Sequence, residues 1–137
     1  MTDEQVRLVQ ESFDKVRPIS EVAADLFYKR LFELDPSLRV MFKGDLKEQG
    51  KKLMSTLSFA VNGLTKLDSI VGAVEELGRR HVGYGVKTEH YATVGEALLW
   101  TLQQGLGDDF TSEVKFAWVE AYGLLAGVMQ NATAEVA

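Results

Sequence analysis

The chain has 137 residues, the size of one domain that can bury a hydrophobic core without disulfides or structural metals. Its formal net charge is −5 and its pI is about 5.0, so it lacks the basic surface that attracts nucleic acid. It contains no cysteine, which excludes disulfides and thiolate metal sites. We therefore expect a single domain over residues 1–137.

The N-terminus and the hydropathy predict a cytoplasmic protein that does not associate with membranes. The chain begins Met-Thr-Asp-Glu, whereas a signal peptide begins with basic residues. No apolar run approaches the roughly 18 residues that a membrane span requires.

Apolar residues recur at intervals of three and four throughout, and only two prolines occur, so the predicted class is all-α. Thr2 and Gln5 form a capping box that predicts a first helix to about Val16. Pro18 starts the second helix. An Asp-Pro pair at 35–36 starts a short third helix that ends near Phe42.

Four further helices follow, and each is predicted from a capping residue and a breaker. Their predicted starts are Asp45, Asp68, Thr88 and Thr111. The breaks between helices are marked by Lys43, Gly44, Gly83, Gly85, Gly105 and Gly107. The result is about seven helices with short connections, which fits one compact helical domain.

Three polar side chains lie on apolar helix faces, where an unpartnered polar group costs free energy. His81 extends the apolar stripe of the fifth helix by four residues beyond Leu77. Gln49 follows Leu46 by three residues on the stripe of the fourth helix, and Tyr28 lies among the apolar residues of the second. These three residues are the candidate site.

Each residue also has a structural interpretation when it is considered alone. A single inward histidine is commonly a core residue bonded to a carbonyl, a glutamine near a helix start commonly lies at a rim, and Tyr28 could be a core aromatic. His90 lies in the first turn of the sixth helix, where partial exposure is expected, so we predict that it is dispensable.

The three residues together favour a haem site. A haem with one protein ligand and one open position requires an imidazole on one side of an apolar pocket and hydrogen-bond donors on the other. The second imidazole nitrogen of His81 could donate to the carbonyl of Leu77, four residues earlier. The sequence contains no phosphate-binding glycine loop, nucleophile elbow or H-E-x-x-H helix.

The sequence resembles bacterial single-domain globins, specifically neuroglobin-like and flavohaemoglobin-like globins, over essentially its whole length. The proximal part of the resemblance is the run LGRRH at 77–81 followed by HYATVGE at 90–96. The distal part is FYKRLF at 27–32, the turn at 36–42 and QGKKLM at 49–54, and the last helix matches through AWVEAYG at 117–123.

The resemblance implies a three-on-three helical sandwich around a non-covalent haem b. It implies that His81 ligates the iron and that Tyr28 and Gln49 face the bound gas. Phe42 would pack on the porphyrin and Leu53 would lie over the iron. The remaining cofactor contacts that it implies are Lys52 as a propionate partner, Leu77, Arg80, Val86, Tyr91 and Val94.

The sequence departs from both types of globin. Neuroglobins have a histidine where Gln49 stands, so ligation by two histidines is not expected here. Flavohaemoglobins join the proximal histidine and a tyrosine, matched by His81 and Tyr91, to a glutamate whose position falls on Thr133, two residues before Glu135. Because the sequence ends at Ala137, we do not expect it to carry the reductase domain of flavohaemoglobins.

Reversible dioxygen binding is therefore the leading hypothesis, with nitric oxide among the other ligands. A nitric oxide dioxygenase served by an external reductase is the second hypothesis, and a gas or redox sensor is the third. The residues leave the physiological ligand open.

Overall fold

The computed structural model describes residues 1–42, 44–83 and 86–136, with side chains except at 83 and 133–136. The helix breakers Lys43 and Gly85, and the positions Thr133, Glu135 and Ala137, lie outside the residues whose side chains it describes.

The described residues form six α-helices and four short 3₁₀ segments. The α-helices are α1 (Asp3–Val16), α2 (Ser20–Leu34), α3 (Leu46–Asn62), α4 (Leu67–Gly83), α5 (Thr88–Leu106) and α6 (Ser112–Val136). The 3₁₀ segments are Arg17–Ile19, Pro36–Met41, Gly63–Lys66 and Gly107–Asp109. The predicted short third helix is thus a 3₁₀ segment, which reduces the predicted seven α-helices to six.

The contacts between helices fit the predicted three-on-three arrangement of two layers. α6 packs on α1, α4 and α5, and α2 packs on α3 and α5. The core between the layers includes Phe13, Leu31 and Val61, which are almost completely buried. Burial of each such side chain stabilises the fold by about 1.5–3 kcal/mol.

Several helix ends have the predicted capping residues. The Thr2 and Gln5 side chains cap α1 reciprocally, and the Asp35 and Asp45 carboxylates accept hydrogen bonds from Ser37 N–H and Lys47 N–H. The backbone at Gly107, which ends α5, has a φ of 56°, a conformation that favours glycine.

Three predicted helix starts were wrong by one or two residues. α4 begins at Leu67, so Asp68 lies in its first turn. α2 begins at Ser20, because Pro18 lies in the preceding 3₁₀ segment. At α5 the N-cap is Lys87 and not Thr88. The N–H of Lys87 donates to Nδ1 of His90 at 2.9 Å, and the N–H of His90 donates to the Lys87 carbonyl at 3.0 Å.

No helix among the described residues is both long enough and apolar enough to cross a bilayer.

Candidate haem site

His81 is fixed by its own helix. Its Nδ1 atom lies 2.7 Å from the carbonyl oxygen of Leu77, one turn earlier in α4. A carbonyl can only accept, so Nδ1 carries the proton and the lone pair of the neutral ring lies on Nε2. Burial lowers the pKa of His81, and the bond to Leu77 opposes part of that shift. The side chain therefore favours the neutral imidazole form that ligates metals.

Gln49 and His81 lie at similar distances along their own helices from the segment that joins α3 and α4. Both helices have 17 residues, and they are joined by the 3₁₀ segment Gly63–Lys66. Gln49 lies 13 residues before the end of α3 and His81 lies 14 residues after the start of α4, so each is about 20 Å from the connection at 1.5 Å per residue. Both side chains are partly buried.

Tyr28 lies next to the crossing of α2 and α3. A Cβ atom on Gly50 would lie 3.0 Å from Cβ of Ala24 and 3.9 Å from Cε2 of Tyr28, so the two helices touch at this glycine. Gln49 precedes Gly50 in the chain, so its backbone lies beside this crossing. Tyr28 is only 6% exposed, and burial raises its pKa to about 12, so its phenol is a protonated donor at neutral pH.

An aromatic cluster borders Tyr28. The ring of Tyr28 packs edge-on to Phe42 with centroids 5.3 Å apart and stacks on Phe32 at 6.1 Å. Arg39 fixes this turn, because its guanidinium donates to the Phe42 carbonyl at 3.0 Å and lies 5.6 Å from the centre of the Phe32 ring. Sequence reasoning missed Arg39, which lies within the Pro36–Met41 segment as an ordinary surface arginine.

The other predicted contact residues fall into two groups. Leu53 and Val94 are partly buried against the core, and Leu77, Val86 and Tyr91 are also partly buried. Lys52 and Arg80 are exposed, and Arg80 lies 3.7 Å from Glu76 in a surface ion pair.

These residues fit a haem. The imidazole tautomer at His81 places the ring lone pair on Nε2, the nitrogen that would ligate an iron, and the side chains predicted to surround the haem are mostly apolar and aromatic. The hydroxyl of Tyr91 is buried and has no hydrogen-bond partner among the described residues, so it could bond to polar atoms of a bound group.

His90 differs from expectation. It is 7% exposed, and Nδ1 accepts the Lys87 N–H at the start of α5, so it is a buried helix cap. His90 lies three residues after the N-cap, the spacing at which a side chain can accept the N–H of the N-cap residue, and this spacing is the sequence signal for its capping role.

Known proteins match the chain over nearly its whole length. Residues 25–129 match the Globin family profile. Neuroglobin from Danio rerio is 29% identical and the match covers 98% of this chain and 94% of that protein. A flavohemoprotein from Rhizobium meliloti is 30% identical over 94% of this chain, which spans only 34% of that protein.

A solved structure has the same fold. An engineered carbene transferase variant of RmaNOD, a candidate nitric oxide dioxygenase from Rhodothermus marinus, superposes with a TM-score of 0.89 at 27% identity. The superposition covers 99% of this chain and 95% of that one. Together with the family profile, this likeness shows that the chain belongs to the globin family of haem proteins.

Proposed function

We propose that this globin binds haem b non-covalently through His81 and binds dioxygen reversibly, in the cytoplasm. The observation that carries the proposal is the 2.7 Å bond from His81 Nδ1 to the Leu77 carbonyl, which orients an imidazole for axial ligation at the end of α4. Haem, when bound, supplies an iron with an open position for a diatomic gas.

The distal residues determine how tightly that gas is held. Bound dioxygen carries partial negative charge, so a hydrogen-bond donor beside it slows its escape. The Tyr28 phenol is buried and protonated, and two side-chain torsions fix its position. The Gln49 amide is a weaker donor on a longer chain, so Tyr28 is the principal donor and Gln49 assists.

Two further side chains support the cofactor. Phe42 packs on one face of the porphyrin, and its position is set by its ring contacts with Tyr28 and Phe32. Lys52 pairs with a propionate from an exposed position in the second turn of α3.

The test is direct. The purified protein should be red, show a Soret band and release extractable haem b into acidified organic solvent. The ferrous form should bind and release dioxygen reversibly. A colourless protein that takes up no added haem would refute the proposal.

A second candidate activity is nitric oxide dioxygenation with electrons from an external reductase. The likeness to the R. marinus and R. meliloti proteins favours it. Steady consumption of nitric oxide in air, with nitrate as product and a generic flavin reductase supplying electrons, would support it. A single turnover that no reductase can sustain would leave dioxygen binding as the function.

A further inference from the structure

The described residues on either side of the α4–α5 connection make local hydrogen bonds and accept a hydrogen bond from α6. The N–H of Val86 donates to the carbonyl of His81 at 3.0 Å, and the N–H of Lys87 donates to His90 at 2.9 Å. The hydroxyl of Tyr122, on α6, donates to the carbonyl of Tyr91 at 2.6 Å. Of these bonds, the one from Tyr122 ties α5 to a different helix.

The Tyr122 ring is seated on a glycine. A Cβ atom at Gly95 would lie 2.9 Å from Cε2 and 3.2 Å from Cδ2 of Tyr122, so the ring lies directly on the α5 backbone. Gly95 is one turn after Tyr91, which explains how the ring covers one residue while its hydroxyl reaches the other. Burial raises the pKa of Tyr122, so the phenol is protonated and donates at neutral pH.

α6 supports α4 on the same face. A Cβ atom at Gly78 would lie 2.5 Å from the backbone oxygen of Met129, so α4 touches α6 there, one turn before His81. Met129 follows Tyr122 by seven residues, which places both on one face of α6. A single helix face therefore holds α4 before the connection and α5 after it.

We infer that Tyr122 is a positioning residue, which fixes the first turn of α5 and, through Val86, the backbone of His81. The inference rests on the proposed role of His81 as the axial ligand. In this assignment Tyr122 acts on His81 through the backbone of α5 and of Val86. Its phenol sets where the proximal histidine stands relative to α6.

The first arm of the test uses the apoprotein. Tyr122→Phe keeps the ring and deletes only the hydroxyl, and amide hydrogen exchange is measured over residues 86–92. Loss of one hydrogen bond should speed exchange there about three- to tenfold. The matched control is Ser12→Ala, which removes the partner of another interhelical bond from α6, Trp118 Nε1 to Ser12 Oγ at 2.9 Å. That variant should leave exchange over residues 86–92 unchanged relative to the rest of the chain.

The second arm uses the ferrous haem protein and records the iron–histidine stretching band by resonance Raman. The band should shift in Tyr122→Phe and stay in place in Ser12→Ala, because lost stability alone does not move it. Unchanged exchange or an unmoved band in folded Tyr122→Phe overturns the inference, as does an equal shift in Ser12→Ala. If the parent binds no haem, the proposed function fails, and with it the positioning role, whereas the first arm still measures the effect of the Tyr122–Tyr91 bond on α5.

A second variant disturbs the same contact from the side of α5. Gly95→Ala leaves the Tyr122 hydroxyl in place but displaces its ring, since the added methyl group would lie 2.9 Å from it. It should also speed exchange over residues 86–92 and shift the band. Parental exchange rates over residues 86–92 and an unmoved band in folded Gly95→Ala would contradict the positioning role of Tyr122.

Discussion

The Nδ1 atom of His81 lies 2.7 Å from the Leu77 carbonyl oxygen, whereas Nδ1 of His90 accepts a backbone N–H at the start of α5. The two histidines thus present opposite hydrogen-bonding states at the same ring atom. We predict that His81→Ala loses haem and that His90→Ala retains it with an unchanged spectrum. The measurement is haem occupancy from the ratio of Soret to protein absorbance.

His90→Ala should nevertheless lose stability, because the cap of α5 is removed. The expected cost is about 1 kcal/mol, measured by urea unfolding. Full haem occupancy in His81→Ala would exclude His81 as the axial ligand.

Tyr28→Phe is predicted to accelerate dioxygen dissociation. A hydrogen bond to a charged acceptor contributes about 1.5–3 kcal/mol, so the rate should rise on the order of tenfold or more. Carbon monoxide carries much less charge when bound, and its dissociation should change little. The measurement is stopped-flow dissociation of both gases. Equal acceleration of both gases would indicate altered access to the site instead of a lost hydrogen bond. A dioxygen dissociation rate within about twofold of the parent would show that Tyr28 is only a packing residue.

The same phenol should make the fold sensitive to alkali. The pKa of Tyr28 is raised by burial from 10 to about 12, so the folded state holds this proton more tightly than the unfolded state does. Its contribution is complete below pH 10 and is lost as the pH rises through about 12. Between these values the free energy of unfolding should fall more steeply in the parent than in Tyr28→Phe, as measured by urea unfolding. Parallel slopes would contradict the assignment.

Lys52→Ala is predicted to have a small effect on haem retention. Lys52 is exposed, and an exposed ion pair contributes at most about 1 kcal/mol. Haem transfer to an excess of apomyoglobin should be a few-fold faster in the variant at low salt and equal to the parent at high salt. Equal rates at low salt would remove Lys52 from the site.

Gly78→Ala and Gly72→Ala form a matched pair on α4. An added methyl group at Gly78 would meet the backbone of Met129 at 2.5 Å, and backbone cannot yield cheaply. We expect Gly78→Ala to be destabilised by about 1–3 kcal/mol and to lose haem faster. No neighbouring atom lies within 4 Å of a methyl group at Gly72, so Gly72→Ala should gain up to about 1 kcal/mol from helix propensity. A stabilised Gly78→Ala would contradict the close contact.

Sequence periodicity predicted the all-α fold and most helix starts, because caps are local. The box of Thr2 and Gln5 needs only the spacing of two residues, and it is present. Asp35 and Asp45 were predicted by the same logic. The predicted N-cap of α5 was off by one residue, because the His90 side chain accepts the N–H of Lys87 and so caps the helix one residue before Thr88.

The contacts of the candidate site were likewise predictable only where both partners lie close together in the sequence. The bond from His81 to Leu77 was predictable, since both residues lie on one helix. The bond from Tyr122 to Tyr91 spans 31 residues, and periodicity cannot show which helices meet. The contact between Gly78 and Met129 could not be predicted either, because the residues near Gly78 in the sequence do not show which helix it meets.

The distal and proximal sides of the site are positioned by different helix contacts. Tyr28 and Gln49 belong to the α2–α3 contact at Gly50, whereas His81 belongs to the α4–α6 contact at Gly78. The free-energy effects of substitutions at these two separate contacts should add, as they do for independent sites. Combining Tyr28→Phe with a proximal change would then multiply their separate effects on gas release, which would let selection or design retune gas residence time and iron ligation one at a time.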